Sequence, residues 1–203
     1  MSFYGFARGL ICALFPLFFR VRFEGREHAP ASGGVIVAAN HVSLLDPFFL
    51  AMGLRQQVFY MAKAELFRNP LLRALLNWLG AFPVERGKGD SGAIDRSVEI
   101  LRGGGVLGIF PEGTRSKDGK PLRPKSGAAL IAKMTGAGIL PCGIEIEGKM
   151  RLWARITVRF GPVIPNSELG LTEESPTQIK RATKRIWGEI LTLSGRQEAP
   201  VED

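Results

Sequence analysis

The fold is decided by residues 35–47, which read VIVAANHVSLLDP. The first five of these residues are apolar and follow Gly33 and Gly34, a pattern that predicts a strand buried on both faces. Asp46 and Pro47 are the residue types preferred at the N-cap and at the first position of a helix, so a helix is predicted over 47–54. A buried strand followed directly by a helix is the repeating unit of a parallel sheet.

Short apolar runs and helical periods continue to alternate along the chain. Further strands are predicted at 58–62, 81–85, 106–110, 139–147 and 155–160, and further helices at 70–79, 91–102, 126–135 and from 175 into the 190s. This order predicts an α/β fold: a single domain with a mostly parallel sheet flanked by helices. In such sheets ligands bind at the carboxyl ends of the strands, so the loops that follow strands are the candidate sites.

Two of these elements carry more specific predictions. Residues 155–160 alternate between polar and apolar side chains, which predicts a half-buried strand at an edge of the sheet. The last helix begins with Ser175 and Pro176, and Gln178 is placed to complete a capping box with Ser175.

The composition limits the chemistry and indicates the partner. A chain of 203 residues can bury a core without disulfides or metals, and two cysteines and two histidines cannot assemble a His/Cys zinc site, so no metal is predicted. Lys and Arg number 27 against 19 Asp and Glu, a net charge of +8. This excess predicts a polyanionic partner, which leaves nucleic acid, a membrane surface and an acidic substrate or carrier as possibilities.

The N-terminus favours the membrane. Residues 3–19 read FYGFARGLICALFPLFF and are followed by Arg20, Arg22 and Arg26. The stretch is shorter than the roughly 20 apolar residues of a spanning helix and contains a charge and a proline, which favours a segment that lies in the interface. A buried core helix is the alternative, and a signal peptide is disfavoured by the charges that follow. We therefore divide the chain into a membrane-associated segment (1–26), a domain (27–193) and a flexible tail (194–203).

The loop after the first buried strand holds a histidine and an aspartate five residues apart. On a continuous helix His41 and Asp46 would not meet, but Pro47 disfavours helical dihedrals at Asp46, so a turn can return the carboxylate to the imidazole. Asp46 would then fix the tautomer of His41 and leave its other nitrogen free to accept a proton. Alternatively, Asp46 only caps the helix. Ser43 lacks the Gly-x-Ser-x-Gly elbow of a serine nucleophile.

A second loop, FPEGTRSK at 110–117, has the composition of a phosphate site. Gly113 permits close approach of the backbone, Thr114 supplies a hydroxyl, and the guanidinium of Arg115 matches phosphate oxygens. Arg86 and Lys63 each follow another strand and offer further cations; an ordinary solvated basic surface is the alternative for both.

Four blocks in this order resemble the conserved blocks of the glycerolipid acyltransferases, in particular the bacterial lysophosphatidate acyltransferases. They are NHVSLLDP at 40–47, GAFPVER at 80–86, FPEGTRS at 110–116 and LPCGI at 140–144. The first and third blocks together are highly specific for this family. The second block is looser, since Glu85 stands where the family often has aspartate, and Cys142 stands where the fourth often has valine or alanine.

The resemblance implies that His41 is the general base and that Asp46 stabilises the imidazolium. It implies that Arg115, with Arg86 and Lys63 behind it, holds the phosphate of the acceptor. It further implies acyl transfer from coenzyme A or acyl carrier protein to the sn-2 hydroxyl of lysophosphatidate, with no cofactor beyond this thioester.

Glu112, Gly113 and Thr114 resemble the acceptor-binding residues of the family. Because acceptor and product both reside in a bilayer, the resemblance implies a peripheral or monotopic protein on the cytoplasmic face of the cell membrane. Nucleic acid is not an expected partner. A sister activity on glycerol-3-phosphate or another lysophospholipid is the alternative within enzymes, and a lipid-binding protein without catalysis is the alternative outside them.

Overall fold

A computed structural model describes residues 3–85, 90–116, 120–172 and 175–197. The described chain has seven strands: β1 (Arg20–Glu24), β2 (Val35–Ala39), β3 (Val58–Lys63), β4 (Ala81–Val84), β5 (Val106–Ile109), β6 (Gly138–Ile146) and β7 (Arg155–Phe160). Its helices are α1 (Phe3–Phe18), α2 (Asp46–Gly53), α3 (Pro70–Trp78), α4 (Ser91–Arg102), α5 (Gly127–Thr135) and α6 (Pro176–Ser194). Short 3-10 helices cover Arg26–His28, Ala64–Arg68 and Asn166–Leu169.

All seven strands form one sheet in the order β1-β7-β6-β2-β5-β3-β4. Every neighbouring pair is parallel except β6 with β7. The predicted fold class, a mostly parallel sheet flanked by helices, is therefore confirmed. The strand β2 lies near the centre, between β6 and β5, so that its carboxyl end is surrounded by the ends of other strands.

The apolar run of β2 is continuous because each of its two faces has its own core. Ile36 and Ala38 face one cluster, which includes Trp187 of α6. Val35, Val37 and Ala39 face the other, which includes Phe49 of α2. Helices cover both sides of the strand, so no position along it faces water.

Two of the sequence predictions about individual elements, one on the place of β7 in the sheet and one on the start of α6, are wrong. The strand β7 lies between β1 and β6 and is not an edge; its alternation arises because one of its faces carries Arg159, which forms ion pairs with Glu24 at 2.9 Å and Glu145 at 2.7 Å. The capping box is also absent, because Ser175 makes no side-chain cap bond and Gln178 Nε2 instead lies 3.5 Å from Thr172 Oγ1.

The predicted boundary at residue 26 also needs correction. Residues 20–24, assigned above to the N-terminal segment, form β1 and pair with β7. The sequence RVRFE alternates polar and apolar residues with the period of a strand. Of the three arginines that were expected to follow a membrane segment, Arg20 and Arg22 stand on the sheet and Arg26 begins a 3-10 helix. At the other end, α6 includes Ser194, which is buried, so the proposed tail begins within an ordered helix. Residues 198–203 lie outside the described residues.

Helix α1 packs on α2 along one side and exposes the other. The ring of Phe15 lies 5.7 Å from that of Phe48 and 5.8 Å from that of Phe49, between centroids. Arg8 donates from Nε to the carbonyl of Ala51 at 2.8 Å and from Nη2 to that of Met52 at 3.1 Å, near the carboxyl end of α2. Among the described residues, no helix has the length and apolar character needed to cross a bilayer.

Candidate active site

The loop between β2 and α2 brings His41 and Asp46 together. His41 Nδ1 lies 2.8 Å from Asp46 Oδ2, and the carboxylate is fully buried. The structure therefore brings the two side chains together, but the turn that does so lies at Ser43–Leu45, before the helix that Asp46 begins. With Nδ1 held by Asp46, Nε2 is the ring nitrogen that remains for a substrate proton.

The carboxylate of Asp46 is turned back over its own loop. Besides the imidazole, Oδ2 accepts hydrogen bonds from the backbone N–H groups of Val42 at 2.7 Å and Ser43 at 2.8 Å. The prediction that Asp46 is an N-cap is wrong: Leu45 occupies the cap position, and Asp46 is the first residue of α2. These bonds offset the cost of burying the charge and fix the side chain toward His41.

Ser43 belongs to the turn. Its hydroxyl accepts a hydrogen bond from Leu45 N at 3.1 Å, and its side chain is buried. This contact supports the loop conformation that carries His41, and a nucleophilic role has no geometric support.

Aromatic rings hold the other side of the imidazole. His41 stacks on Phe110 with 4.2 Å between ring centroids and 19° between planes, and Phe110 is in turn nearly parallel to Tyr60. The hydroxyl of Tyr60 donates to the carbonyl of Pro47 at 3.0 Å. Burial raises the pKa of Tyr60 well above its usual range, so this hydroxyl stays a neutral donor. The ring stack joins β3, β5 and the start of α2 around His41.

Glu112 faces the protein interior. Its Oε1 accepts from the backbone N–H of His41 at 2.9 Å, and its Oε2 accepts from that of Leu122 at 3.0 Å. Arg196 Nη1 lies 3.6 Å from Oε1, and the side chain of Glu112 has no exposed surface. The structure therefore places Glu112 behind the backbone of His41 and not on the wall of the cavity, and none of these contacts supports the acceptor-binding role that the resemblance implies.

The remaining residues of this loop do reach the cavity beside His41. Gly113, Thr114 and Arg115 line it, as does Lys125. Gly113 has φ of 68°, a conformation that favours glycine, and it packs against the end of the Lys125 side chain, where an added Cβ would lie 2.9 Å from Nζ. Lys125 lies outside the four sequence blocks, near Lys120 and Arg123, and no signal in the sequence separates it from them. Its contact with Gly113 and its place on the cavity wall do so.

Lys63 and Arg86 are the two further cations that were predicted to bind the phosphate. Lys63 lines the cavity and forms an ion pair with Glu65 at 3.0 Å, with both side chains about half exposed. Arg86 lies outside the described residues.

The cavity itself has a volume of about 660 Å³ and is mostly apolar. Helix α1 contributes Tyr4, Arg8 and Ile11 to its wall, and further apolar residues come from α2, α3, α4 and α5. Such a space suits a lipid chain, while Arg115, Lys125 and Lys63 suit an anionic head. The described residues contain no group of three His, Cys, Asp or Glu side chains placed to hold a metal ion.

A histidine–aspartate pair at the carboxyl edge of a parallel sheet, beside an apolar cavity with cations, is an arrangement by which an α/β enzyme can offer a general base to a lipid-like substrate. The family model described as Acyltransferase matches residues 20–145. The chain belongs to this acyltransferase family, and the resemblance stated for its four blocks is confirmed.

Individual relatives carry a narrower name. The chain is 37% identical over 142 residues to a 1-acyl-sn-glycerol-3-phosphate acyltransferase of Bacillus subtilis, covering 65% of this chain and 70% of the relative. It is 31% identical to a chloroplastic 1-acyl-sn-glycerol-3-phosphate acyltransferase of Arabidopsis thaliana over 66% of this chain, but this match spans only 38% of the plant protein.

A solved structure has the same fold. The crystal structure of the 1-acyl-sn-glycerophosphate (LPA) acyltransferase PlsC of Thermotoga maritima matches with a TM-score of 0.71 and 25% identity, covering 97% of this chain and 83% of that one. The similarity therefore includes α1 and α6 as well as the residues that the family model matches.

Proposed function

We propose that this protein transfers a fatty acyl group from an acyl thioester to the sn-2 hydroxyl of 1-acylglycerol-3-phosphate and so forms phosphatidate. The observation that carries the proposal is the 2.8 Å contact between His41 Nδ1 and Asp46 Oδ2 beside a cavity that also presents Arg115. The names of the relatives from Bacillus subtilis and Thermotoga maritima support this choice of acceptor.

His41 is the general base in this proposal. Its Nε2 takes the proton of the acceptor hydroxyl as the oxygen attacks the thioester carbonyl, and the tetrahedral intermediate then expels the thiolate, which receives the proton. Base catalysis of this kind contributes about 10²–10⁴-fold in rate. Asp46 holds the tautomer and stabilises the imidazolium. No acyl-enzyme is required, because the thioester is already activated.

The cations of the cavity bind the head group. A phosphomonoester carries about −1.5 to −2 charges at pH 7 and three acceptor oxygens. Arg115 offers a bidentate fork, and Lys125 and Lys63 add point charges along the same cavity. The apolar walls receive the acyl chains. Coenzyme A and acyl carrier protein are both compatible donors, since each presents an anionic carrier to a chain of net charge +8.

The same proposal places the protein on the cytoplasmic face of the cell membrane as a peripheral or monotopic protein. Helix α1 lines the cavity on one side and exposes large apolar side chains on the other. These side chains are Phe6, Leu10, Leu14, Leu17 and Phe18. A helix with this surface would lie in the bilayer interface and open the cavity toward lipid.

The test is an acceptor competition with matched histidine variants. Purified protein receives a thioester of coenzyme A or of carrier protein, together with lysophosphatidate, glycerol-3-phosphate and lysophosphatidylcholine. We expect phosphatidate as the main product, with His41→Ala losing at least about 10²-fold in kcat. His28→Ala is the control, because His28 is exposed, does not line the cavity, and places its Nδ1 2.8 Å from the carbonyl oxygen of Phe160.

Two results would contradict the proposal. Full turnover by His41→Ala would remove His41 from the chemistry. Preferential acylation of glycerol-3-phosphate or lysophosphatidylcholine would keep the family and change the acceptor.

A further inference from the structure

The turn between β6 and β7 presents two large apolar side chains to solvent. Leu152 is 60% exposed and Trp153 is 53% exposed. Trp153 has φ of 62°, and it is the only non-glycine residue with positive φ in the described part of the chain. A left-handed conformation is costly for a bulky side chain, so the surrounding structure must hold Trp153 in place.

Backbone hydrogen bonds hold the turn against the end of α1. Trp153 N donates to the carbonyl of Phe18 at 2.6 Å, and Arg20 N donates to the carbonyl of Ala154 at 2.9 Å. A third bond closes the turn, from Ala154 N to the carbonyl of Arg151 at 3.0 Å. The exposed position of Trp153 is therefore fixed relative to the apolar surface of α1.

This turn stands at the catalytic edge of the sheet. Strands β2 and β6 are parallel, with Ala39 opposite Cys142, and β6 continues past Cys142 to Ile146 before the turn begins. The turn therefore extends beyond the carboxyl end of β2, the edge from which the His41 loop departs. Leu44 of that loop is also exposed, at 68%.

The charges around the turn are basic. Lys149 and Arg151 lie within it and are exposed, with no ion pair to a described carboxylate, while its one acid, Glu147, lies 3.5 Å from Arg155. Arg20, the first residue of β1, adds a further exposed cation. Tryptophan and leucine beside lysine and arginine match a bilayer interface with anionic lipids, where the rings reach the acyl boundary and the cations meet the head groups.

We infer that Leu152 and Trp153 form a second membrane contact, beside the end of α1 but in the sheet domain, that inserts into the interface of an anionic bilayer. The contact extends the apolar surface of α1 to the edge of the sheet from which the His41 loop departs. The inference rests on the proposed membrane association and extends it to a site in the sheet domain.

Fluorescence of Trp153 tests the insertion directly. In the variant Trp78→Phe the remaining tryptophans are Trp153 and Trp187, and Trp187 is only 1% exposed within the core. Vesicles of phosphatidylcholine and phosphatidylglycerol with brominated acyl chains should quench and blue-shift the emission of Trp153. Trp78→Phe/Trp153→Phe is the matched control and should show neither change. Unquenched emission from protein that co-sediments with these vesicles would overturn the inference.

A binding measurement provides the second arm. Leu152→Ser/Trp153→Gly removes both side chains, and glycine accepts the positive φ at position 153 without strain. We expect vesicle partitioning to weaken by about tenfold, with acylation of lysophosphatidate in vesicles falling in parallel and acylation in detergent micelles unchanged. Met134→Ser is the control, because Met134 is an exposed apolar residue on α5.

The remaining outcomes separate the inference from the proposed function. Unchanged partitioning of the double variant, or loss of a dimer in solution in place of a loss of vesicle binding, would overturn the membrane contact. A protein whose Trp153 inserts but which does not acylate lysophosphatidate would contradict the proposed function and leave the contact standing.

Discussion

Glu112 Oε1 accepts a hydrogen bond of 2.9 Å from the backbone N–H of His41. The two residues are separated by 71 positions, and the bond joins the loop after β2 to the loop after β5. The other oxygen of the same carboxylate binds Leu122 N, and Arg196 beyond the end of α6 supplies the nearby cation. Three distant segments therefore converge on one buried carboxylate that supports the backbone of His41.

We predict that Glu112→Gln lowers kcat, with little change in the KM for the acyl thioester or in the KM for lysophosphatidate. An amide can accept at one end only, so one of the two backbone N–H groups loses its partner, at a cost of about 1–3 kcal/mol. If this cost falls on the transition state, because His41 is less well positioned, kcat should fall by about tenfold or more. The measurement is steady-state kinetics well below the thermal midpoint, with hydrogen exchange at the His41 amide as a direct report on the bond.

Arg196→Gln should give a smaller fall in kcat of the same kind, partly rescued by Arg196→Lys. Removal of the Arg196 guanidinium leaves the buried carboxylate of Glu112 without the positive charge that lies 3.6 Å from it. Because both residues act on one contact, Glu112→Gln/Arg196→Gln should be no worse than Glu112→Gln alone. Arg181→Gln, an exposed arginine on α6, is the control. Additive losses in the double variant would show that Arg196 acts elsewhere.

Asp46→Asn should reduce kcat by about 10²-fold, because the amide oxygen that replaces Oδ2 is neutral and no longer stabilises the imidazolium of His41. The asparagine oxygen can still accept from Val42 and Ser43, so the loop and the thermal midpoint should change little, which circular dichroism can check. Asp95→Asn is the matched control, because Asp95 is exposed on α4. Substantial turnover by Asp46→Asn would mean that the carboxylate only supports the loop.

Local signals in the sequence were sufficient for much of the fold. Helix α4 has the predicted bounds, 91–102, and β2 was recognisable because an unbroken apolar run requires cover on both faces. The spacing of His41 and Asp46 suggested their pairing, but the restriction that Pro47 was expected to place on Asp46 does not explain it, because Asp46 is helical and the turn lies at Ser43–Leu45. Each of these features depends on residues within a few positions of one another.

The missed features depend on distant residues. Strand β1 is short and rich in arginine, and its partner β7 lies far along the chain, so its alternation alone did not identify it. The inward orientation of Glu112 depends on His41 and Arg196, which only the folded sheet brings near it. The resemblance to the glycerolipid acyltransferases assigned Glu112 to the acceptor together with Gly113 and Thr114, and of these three only Gly113 and Thr114 line the cavity.

Arg115→Ala should raise the KM for lysophosphatidate by about 10- to 100-fold, which corresponds to the loss of one charge-assisted contact to phosphate. The effect on the acyl donor should be much smaller. Arg123→Ala is the control, since Arg123 is an exposed arginine nearby that does not line the cavity. Initial rates with each substrate varied in turn provide the measurement. Equal losses for both substrates would place Arg115 outside the phosphate site.

The stability of the fold should fall in alkaline solution because two buried groups, a thiol and a phenol, lose their protons more readily in the unfolded chain. Burial raises the pKa of the Cys142 thiol and of the Tyr60 hydroxyl well above their usual ranges. In the unfolded chain these groups ionise from about pH 8.5 and about pH 10, while in the folded protein they keep their protons. The unfolded state therefore binds fewer protons, and the free energy of unfolding decreases as pH rises above these values.

The variants Cys142→Ala and Tyr60→Phe separate the two contributions. Each group should account for a slope of about 1.4 kcal/mol per pH unit within its window. Cys142→Ala should be less stable near pH 7.5 because of the cavity it leaves, yet lose less stability than the wild type between pH of about 9 and 10. Tyr60→Phe should flatten the curve only above pH of about 10. Urea unfolding at a series of pH values gives these slopes, and parallel curves for the wild type and Cys142→Ala would show that the thiol ionises equally in both states.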